Sequence, residues 1–237
     1  LTQLYLPHRL TLELAQVKLL PRTLKALRSI LENATLDVVQ ALPQAMDDLQ
    51  IDVPVVSQAV VEALPRELGE LYLSALNEPE HTFDIPALMH LPPHLHTINL
   101  SISRELHQGV NEIVRVLPKT LTSFYLSNVD DAQPLDLNSS DWPPNLVKLH
   151  FARCTLTLFP SFLTHLPASI RSIQLHDILF AGDTCDSTQP GKECVATYNF
   201  LQQFGAPDLS QLTSFNFSNP QHAPVILDAP VPFPKSL

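Results

Sequence analysis

The sequence predicts an α/β solenoid, curved, with short parallel strands on its concave face and short helices on its convex face. The main observation is a phrase of three apolar anchors, separated by two residues and then by one, that returns nine times, with Ser29 at the third anchor of the second copy. Its first anchor falls at Leu1, Leu24, Met46, Leu68, Leu95, Leu121, Leu146, Ile170 and Leu212. The steps are 23, 22, 22, 27, 26, 25, 24 and 42 residues, and a period in the twenties is typical of a solenoid.

The placement of proline is the second observation. Seven prolines stand three residues before an anchor: Pro21, Pro43, Pro65, Pro92, Pro118, Pro143 and Pro167. Because proline fixes φ and cannot donate to a strand ladder, it suits a corner where a helical segment ends and a strand begins. The high proline content, 22 in 237 residues, therefore indicates regular corners rather than disorder.

Each repeat contains a strand pattern and a helix pattern. Residues 124–126, Phe-Tyr-Leu, alternate with the period of two that is typical of a strand. Upstream, Val110, Ile113, Val114 and Leu117 recur at helical spacing. One such unit cannot bury both its strand and its helix, so we expect neighbouring units to stack.

The repeats resemble those of the leucine-rich-repeat family. The segment from Leu146 to Leu156, Leu-Val-Lys-Leu-His-Phe-Ala-Arg-Cys-Thr-Leu, matches the family phrase L-x-x-L-x-L-x-x-N/C-x-L at every anchor. This resemblance covers about residues 1–218. It implies a leucine-rich-repeat solenoid whose concave face is the binding surface.

One family feature is missing. The position that holds asparagine or cysteine in the family carries Leu76, Ser103, Val129, Cys154 and Ile178. No ladder of side-chain amides can therefore run along the turns, and we expect the turn backbone to find other hydrogen-bond partners. Cys154 is predicted to be a buried thiol.

The predicted domain organisation has two parts. Residues 1–218 form the solenoid, with an insertion at 179–205 inside the longest step, and residues 219–237 form a proline-rich tail or cap. The tail either covers the edge of the last repeat or leads to another domain. Because the chain opens inside a repeat, we expect it to be a piece of a longer protein.

Composition and motifs argue against several function classes. The net charge of −10, with only 14 lysines and arginines, disfavours nucleic acid as a partner, and no apolar run is long enough for a membrane span. The histidines His90, His94 and His96 fall at a corner broken by prolines, and His150 and His176 lie on adjacent strands without flanking carboxylates. We therefore predict no enzyme activity, no cofactor and no metal.

The outward residues of the strands form the candidate binding surface. The middle outward row is Tyr5, Arg28, Gln50, Tyr72, Asn99, Tyr125, His150, Gln174 and Asn216, and it holds three of the four tyrosines. We expect Thr97, Ser123, Ser172 and Ser214 to flank the row on one side, and Ser74, Ser101, Ser127 and Ser218 on the other. The face is thus predicted to be mostly uncharged and rich in hydroxyls, with the acidic residues mainly on the turns and the convex side. Such a surface suits protein binding, although tyrosine and serine are also simply tolerated on exposed strands.

The insertion and two glycosylation sequons bear on the cellular compartment. Cys185 and Cys194 flank a Pro-Gly turn, which favours a disulfide over two free thiols or half of a metal site. Asn33 and Asn138 lie in sequons within connecting segments and are candidate glycosylation sites. Together these features predict a secreted or cell-surface protein, with a cytoplasmic location as the alternative.

The predicted function is non-enzymatic recognition of a protein, or of a glycan-bearing surface, through the concave face. One alternative is an intracellular adaptor, such as the substrate-recognition part of a ubiquitin ligase. Another is a structural component that self-associates into an extracellular assembly.

Overall fold

A computed structural model describes residues 2–5, 11–75, 82–102, 110–127, 135–136, 141–157, 165–180, 212–217 and 225–227. Its strands are β1 (Gln3–Tyr5), β2 (Ala26–Leu31), β3 (Asp48–Asp52), β4 (Val55–Val56), β5 (Glu70–Ala75), β6 (Thr82–Phe83), β7 (Thr97–Ile102), β8 (Ser123–Ser127), β9 (Leu135–Asp136), β10 (Lys148–Thr157), β11 (Ser172–Phe180), β12 (Ser214–Phe217) and β13 (Val225–Leu227). Its helices are α1 (Leu14–Val17), α2 (Leu36–Gln40), α3 (Gln58–Glu62), a 3₁₀ helix (Ile85–His90) and α4 (Val110–Val116).

One parallel sheet runs through the stacked repeats. Its strand order is β1-β2-β3-β5-β7-β8-β10-β11-β12, followed by β13. Each of the nine strands that correspond to predicted repeats begins two residues after its anchor, from Gln3 after Leu1 to Ser214 after Leu212. The structure therefore confirms the predicted α/β solenoid.

The register is constant from β3 to β12. The second anchors of successive repeats form one continuous line, Leu49, Leu71, Ile98, Phe124, Leu149, Ile173 and Phe215. Between β2 and β3 the pairing shifts, because Leu27 pairs with Leu49 but Leu31 pairs with Ile51. A bulge on β2 thus separates the first two strands from the constant register of the others.

The core lies between this sheet and the helical side. Anchors of successive repeats are buried, including Leu24, Met46, Leu68 and Leu95. The largest fully buried side chains in the described core are Phe124 and Phe151, whose rings meet edge to face at 6.3 Å, and the buried Trp142 packs against Phe124 at the same centroid distance. Burial of this apolar surface is the main force that holds neighbouring repeats together.

The corners explain the recurring Leu-Pro. In seven repeats the carbonyl of the proline accepts a hydrogen bond from the backbone N–H of the anchor three residues later, at 2.9–3.3 Å. Such a bond closes a β-turn. The next residue of each corner donates its backbone N–H to the previous corner, as Gly69 does to the carbonyl of Asp47 and His96 to that of Gly69.

Side chains also satisfy carbonyl groups at the corners that precede the strands. Ser169 Oγ donates to the carbonyls of Pro144 and Leu146 at 2.8 and 2.7 Å. Thr120 Oγ1 lies 2.8 Å from the carbonyl oxygen of Leu95. Cys154 is buried, as predicted, and its Sγ lies 3.2 Å from the carbonyl oxygen of Ala152.

The helices on the opposite side are short, from four residues in α1 to seven in α4. The Ser57 hydroxyl caps α3 by accepting from the backbone N–H of Val60 at 3.4 Å, which satisfies one of the free donors of the first turn. None of the described helices is long and apolar enough to cross a membrane. The small parallel pair β4–β6 lies outside the main sheet.

The sheet ends on an antiparallel strand. β13, from the predicted tail, pairs with β12 through Phe215 with Leu227 and Phe217 with Val225. This segment of the tail therefore covers the edge of the last repeat, which would otherwise present unpaired backbone groups.

Candidate functional site

Three rows of outward side chains cross the strands of the sheet. The middle row is Gln50, Tyr72, Asn99, Tyr125, His150, Gln174 and Asn216, and every neighbouring pair in it is in register. The leading row, two residues earlier, is Asp48, Glu70, Thr97, Ser123, Lys148, Ser172 and Ser214; the trailing row, two residues later, is Asp52, Ser74, Ser101, Ser127, Ala152 and His176.

The predicted row thus exists as one line from Gln50 to Asn216. At the other end Tyr5 pairs with Arg28, and the bulge on β2 separates this pair from Gln50. The side chains of Tyr5 and Arg28 lie outside the described part of the structure. That these residues bind a partner stays a prediction.

Three rings pack against one another in the centre of the face. Tyr125 and His150 have ring centroids 5.3 Å apart at an interplanar angle of 62°, and His150 lies 5.0 Å from His176 at 59°. His176 reaches across from the trailing row, where its neighbour is the small Ala152. The three side chains form a continuous platform over β8, β10 and β11, within the range of favourable aromatic pairing.

This packing keeps His150 neutral. Burial of the ring, and secondarily the positive charge of a protonated His176, lower the pKa of His150 from 6.5 to about 4. Both effects disfavour the imidazolium form. At neutral pH the platform is therefore an uncharged ring surface at His150.

Three polar atoms of the middle row are screened from solvent and have no hydrogen-bond partner within the described protein. They are Asn99 Oδ1, His150 Nε2 and Asn216 Oδ1. A buried polar atom without a partner costs about 1–3 kcal/mol. The middle row therefore concentrates unmet hydrogen-bonding capacity beside its stacked rings.

The flanking rows correct the expectation of a hydroxyl-rich surface. Ser74, Ser101 and Ser123 are buried, so their hydroxyls do not contribute to the surface. Thr97, Ser127, Ser172 and Ser214 are partly exposed, and Ser218 lies outside the described residues. Serine fits these positions because its small side chain can be covered by neighbouring strands, which alternation alone does not reveal.

Most positions of the three rows are uncharged, as expected, and the charged exceptions lie in the two flanking rows. Asp48 and Glu70 begin the leading row and Lys148 stands farther along it, while Asp52 and His176 stand at the two ends of the described trailing row. Glu70 and Lys148 are exposed. Reading the sequence two residues to either side of each middle-row residue would have found this pattern.

The corners next to the face add further charged groups. Asp47 and His96 are exposed and flank Gly69, where a Cβ atom would lie 2.6 Å from Asp47 Oδ1 and 2.8 Å from His96 Nε2. The glycine leaves room for both side chains to lean over the same corner. Among the described residues, no group of three or more His, Cys, Asp or Glu side chains could hold a metal ion.

The other predicted site residues divide between described and undescribed segments. Asn33 is exposed in a turn with φ of 52°, and its sequon partner Thr35 is exposed at the start of α2. Cys185, Cys194 and Asn138 lie outside the described residues. At the proline-broken corner, His90 contacts Glu62 through Nδ1 and Oε1 at 3.2 Å.

Comparison with known proteins bears on the fold. No protein-family model and no curated protein sequence matches the chain. Among solved structures, the leucine-rich repeat-containing protein LegL7 from Legionella pneumophila superposes with a TM-score of 0.51 at 15% identity, over 91% of this chain and 74% of that one. The chain has the leucine-rich-repeat fold.

A second leucine-rich-repeat structure resembles part of the chain more weakly. CroV588, described as a novel circular LRR protein structure, gives a TM-score of 0.40 at 17% identity, over 66% of this chain and 24% of that one. At 15% identity, the likeness to LegL7 establishes the fold alone. The function of this leucine-rich-repeat solenoid must be argued from its concave face.

Proposed function

We propose that the concave face binds a protein partner, and that the middle row from Tyr72 to His150 is the centre of the contact. The observation that carries the proposal is that half-buried rings and unpartnered polar atoms lie together in one row. Asn99 stands between Tyr72 and Tyr125, and the ring of His150 packs edge to face against that of Tyr125. Tyrosine rings offer large contact area for little conformational entropy.

The unpartnered atoms of Asn99 and His150 give a reason for a partner to bind at the middle row. A partner whose polar groups reach Asn99 and His150, after small rotations of those side chains, would supply hydrogen bonds that the free protein lacks. Hydrogen bonds of this kind favour binding because the desolvation cost has already been met in the free protein. The ring platform would supply apolar contact beside them.

We further propose that recognition takes place outside the cell. Support comes from the exposed sequon at Asn33 and from the predicted disulfide between Cys185 and Cys194. The test is the intact mass of material from the native source, before and after reduction and enzymatic deglycosylation. A gain of two hydrogens with loss of glycan mass would support the proposal. Free thiols with an unmodified mass would overturn it and favour the intracellular adaptor, and concentration-dependent self-association would favour the structural component.

The binding proposal is tested by changing the rings without changing the core. In the variant carrying Tyr72→Ala and Tyr125→Ala, we expect capture of partners from the native source to be lost and the melting temperature to change little. The matched control replaces two exposed apolar residues, Leu19 and Met89, which are 82% and 69% exposed and stand outside the three rows.

The outcomes of this comparison are distinct. Proteins held by the wild type and the control, but not by the tyrosine variant, would support the concave face as the binding surface. The same proteins held equally by all three would overturn it. A large drop in melting temperature of the tyrosine variant would show that the rings pack the fold instead.

A further inference from the structure

We infer that the partner presents a polypeptide segment with charges of both signs, its cationic group over β3 and β5 and its anionic group over β10 and β11. This inference rests on the proposed function and specifies the chemistry of the partner. It comes from the order of charges along the leading row and the trailing row. The middle row does not show this order.

The leading row is polarised along the solenoid. It reads Asp48, Glu70, Thr97, Ser123 and Lys148 across five successive strands in constant register. Two carboxylates therefore stand at one end, two uncharged hydroxyl side chains in the middle, and an ammonium group at the other end. Glu70 and Lys148 are exposed, so both charges are available to a partner.

The trailing row repeats the same polarity independently. Its Asp52 lies on β3 and its His176 on β11, with serine and alanine between them. The imidazole of His176 adds a hydrogen-bonding group to the end that already carries Lys148. Both rows thus place carboxylates over the early strands, and the leading row places an ammonium group over the later ones.

Charged residues at the corners increase the difference in charge between the two ends of the rows. Asp47 is exposed beside Asp48, and Arg171 is partly exposed directly before β11, where its Nη1 donates to the carbonyls of Ala168 and Ile170 at 2.9 Å each. Those carbonyls are neutral, so the guanidinium keeps its charge.

Opposing cations lie beyond the acidic end. Lys25 is exposed at the preceding corner, and Arg28 lies on β2. The exposed Arg66 and Glu67 at the corner before β5 offset each other, so among the described residues the four carboxylates Asp47, Asp48, Asp52 and Glu70 still outnumber these two cations.

The spacing of the strands sets the length of the segment. Neighbouring strands are about 4.8 Å apart, so the four steps from Asp48 to Lys148 span about 19 Å, and the three steps from Glu70 about 14 Å. An extended chain advances about 3.3 Å per residue. A cationic and an anionic side chain about four to six residues apart would therefore reach both ends at once.

The charges at the two ends of the face would contribute mainly to specificity for the partner. Complementary potentials align a partner and reject others, while contributing less to raw affinity. In a protein of net charge −10, an all-acidic segment is repelled overall. An all-basic segment is attracted overall, but its part over β10 and β11 is repelled by Lys148 and Arg171. A segment with both signs avoids both penalties.

The test is selection from a displayed library of random dodecapeptides on the whole chain at about 50 mM salt, where exposed charges are weakly screened. We expect enriched peptides to carry lysine or arginine and aspartate or glutamate four to six positions apart. In 0.5 M salt their affinity should fall several-fold. Selection on the variant carrying Tyr72→Ala and Tyr125→Ala serves as the background.

Charge reversals with matched controls sharpen the result. Glu70→Lys and Lys148→Glu should each weaken the enriched peptides about five- to tenfold. The controls Glu112→Lys on α4 and Lys18→Glu at the end of α1 make the same change of net charge at exposed positions outside the rows. They should leave the affinity within about twofold.

Each outcome decides something. Enrichment of uncharged or single-sign peptides, no enrichment above the background variant, or equal loss in the control variants would overturn the inference. If partner capture from the native source still depends on Tyr72 and Tyr125, the proposed function survives that failure. If capture is also independent of both tyrosines, the two proposals fail together.

Discussion

Acidification should destabilise this protein through His150. Burial, and then the charge of His176, lower the pKa of His150 from 6.5 to about 4 in the folded state. The unfolded chain, with an ordinary histidine pKa of about 6.5, therefore binds more protons between these two values. The free energy of unfolding should fall as the pH is lowered from about 6.5 to about 4, and this contribution should level off below about 4.

The size of the effect follows from the two pKa values. Their difference corresponds to about 3.4 kcal/mol if it is fully expressed. Because the His150 side chain is partly exposed, solvent screening reduces the figure, and we expect about 1–2 kcal/mol. The larger part comes from desolvation, so His176→Gln should remove only the smaller part.

The assay compares the wild type with His150→Gln, which keeps a polar side chain of similar length but does not titrate. Urea unfolding followed by circular dichroism at pH 7, 6, 5 and 4.5 gives the free energy of unfolding of both proteins. Other titrating groups contribute equally to both proteins. The difference between the two free energies of unfolding, followed with pH, therefore gives the contribution of His150. The advantage of the wild type over the variant should shrink steadily toward low pH.

Two results would refute this reasoning. One is a difference between wild type and variant that stays constant from pH 7 to pH 4.5. The other is a nuclear magnetic resonance titration in which the His150 ring protonates near pH 6.5, which would mean that the platform of Tyr125, His150 and His176 does not exclude water.

Three further predictions concern stability and are measured by urea unfolding at pH 7. Leu126→Ala should cost about 2–5 kcal/mol, because Leu126 is buried and its removal leaves a cavity. Ser169→Ala should cost about 1–2 kcal/mol, because its hydroxyl serves two corner carbonyls. Arg115→Ala should cost less than about 1 kcal/mol, because its 3.0 Å ion pair with Asp141 is exposed. Similar losses in all three variants would contradict the distinction between core, corner and surface.

The sequence by itself determined the repeat and its register. Each strand begins two residues after an apolar anchor, from Leu24 through Leu212, because alternation places the next inward residues at fixed offsets. The recurring proline likewise marked seven corners at which a turn forms. The middle row followed directly, since stacked repeats of near-equal length bring the same position of each strand side by side.

Tertiary structure decided what that row can do. The bulge on β2 depends on how two repeats of fixed length fit together, and the burial of Ser101 depends on its neighbours rather than on its own polarity. The contact of His150 with His176 joins residues 26 positions apart in different rows, and it is this contact and burial that keep His150 neutral. Local pattern fixes which way a side chain points, but its environment is set by side chains that only the stacking of repeats brings together.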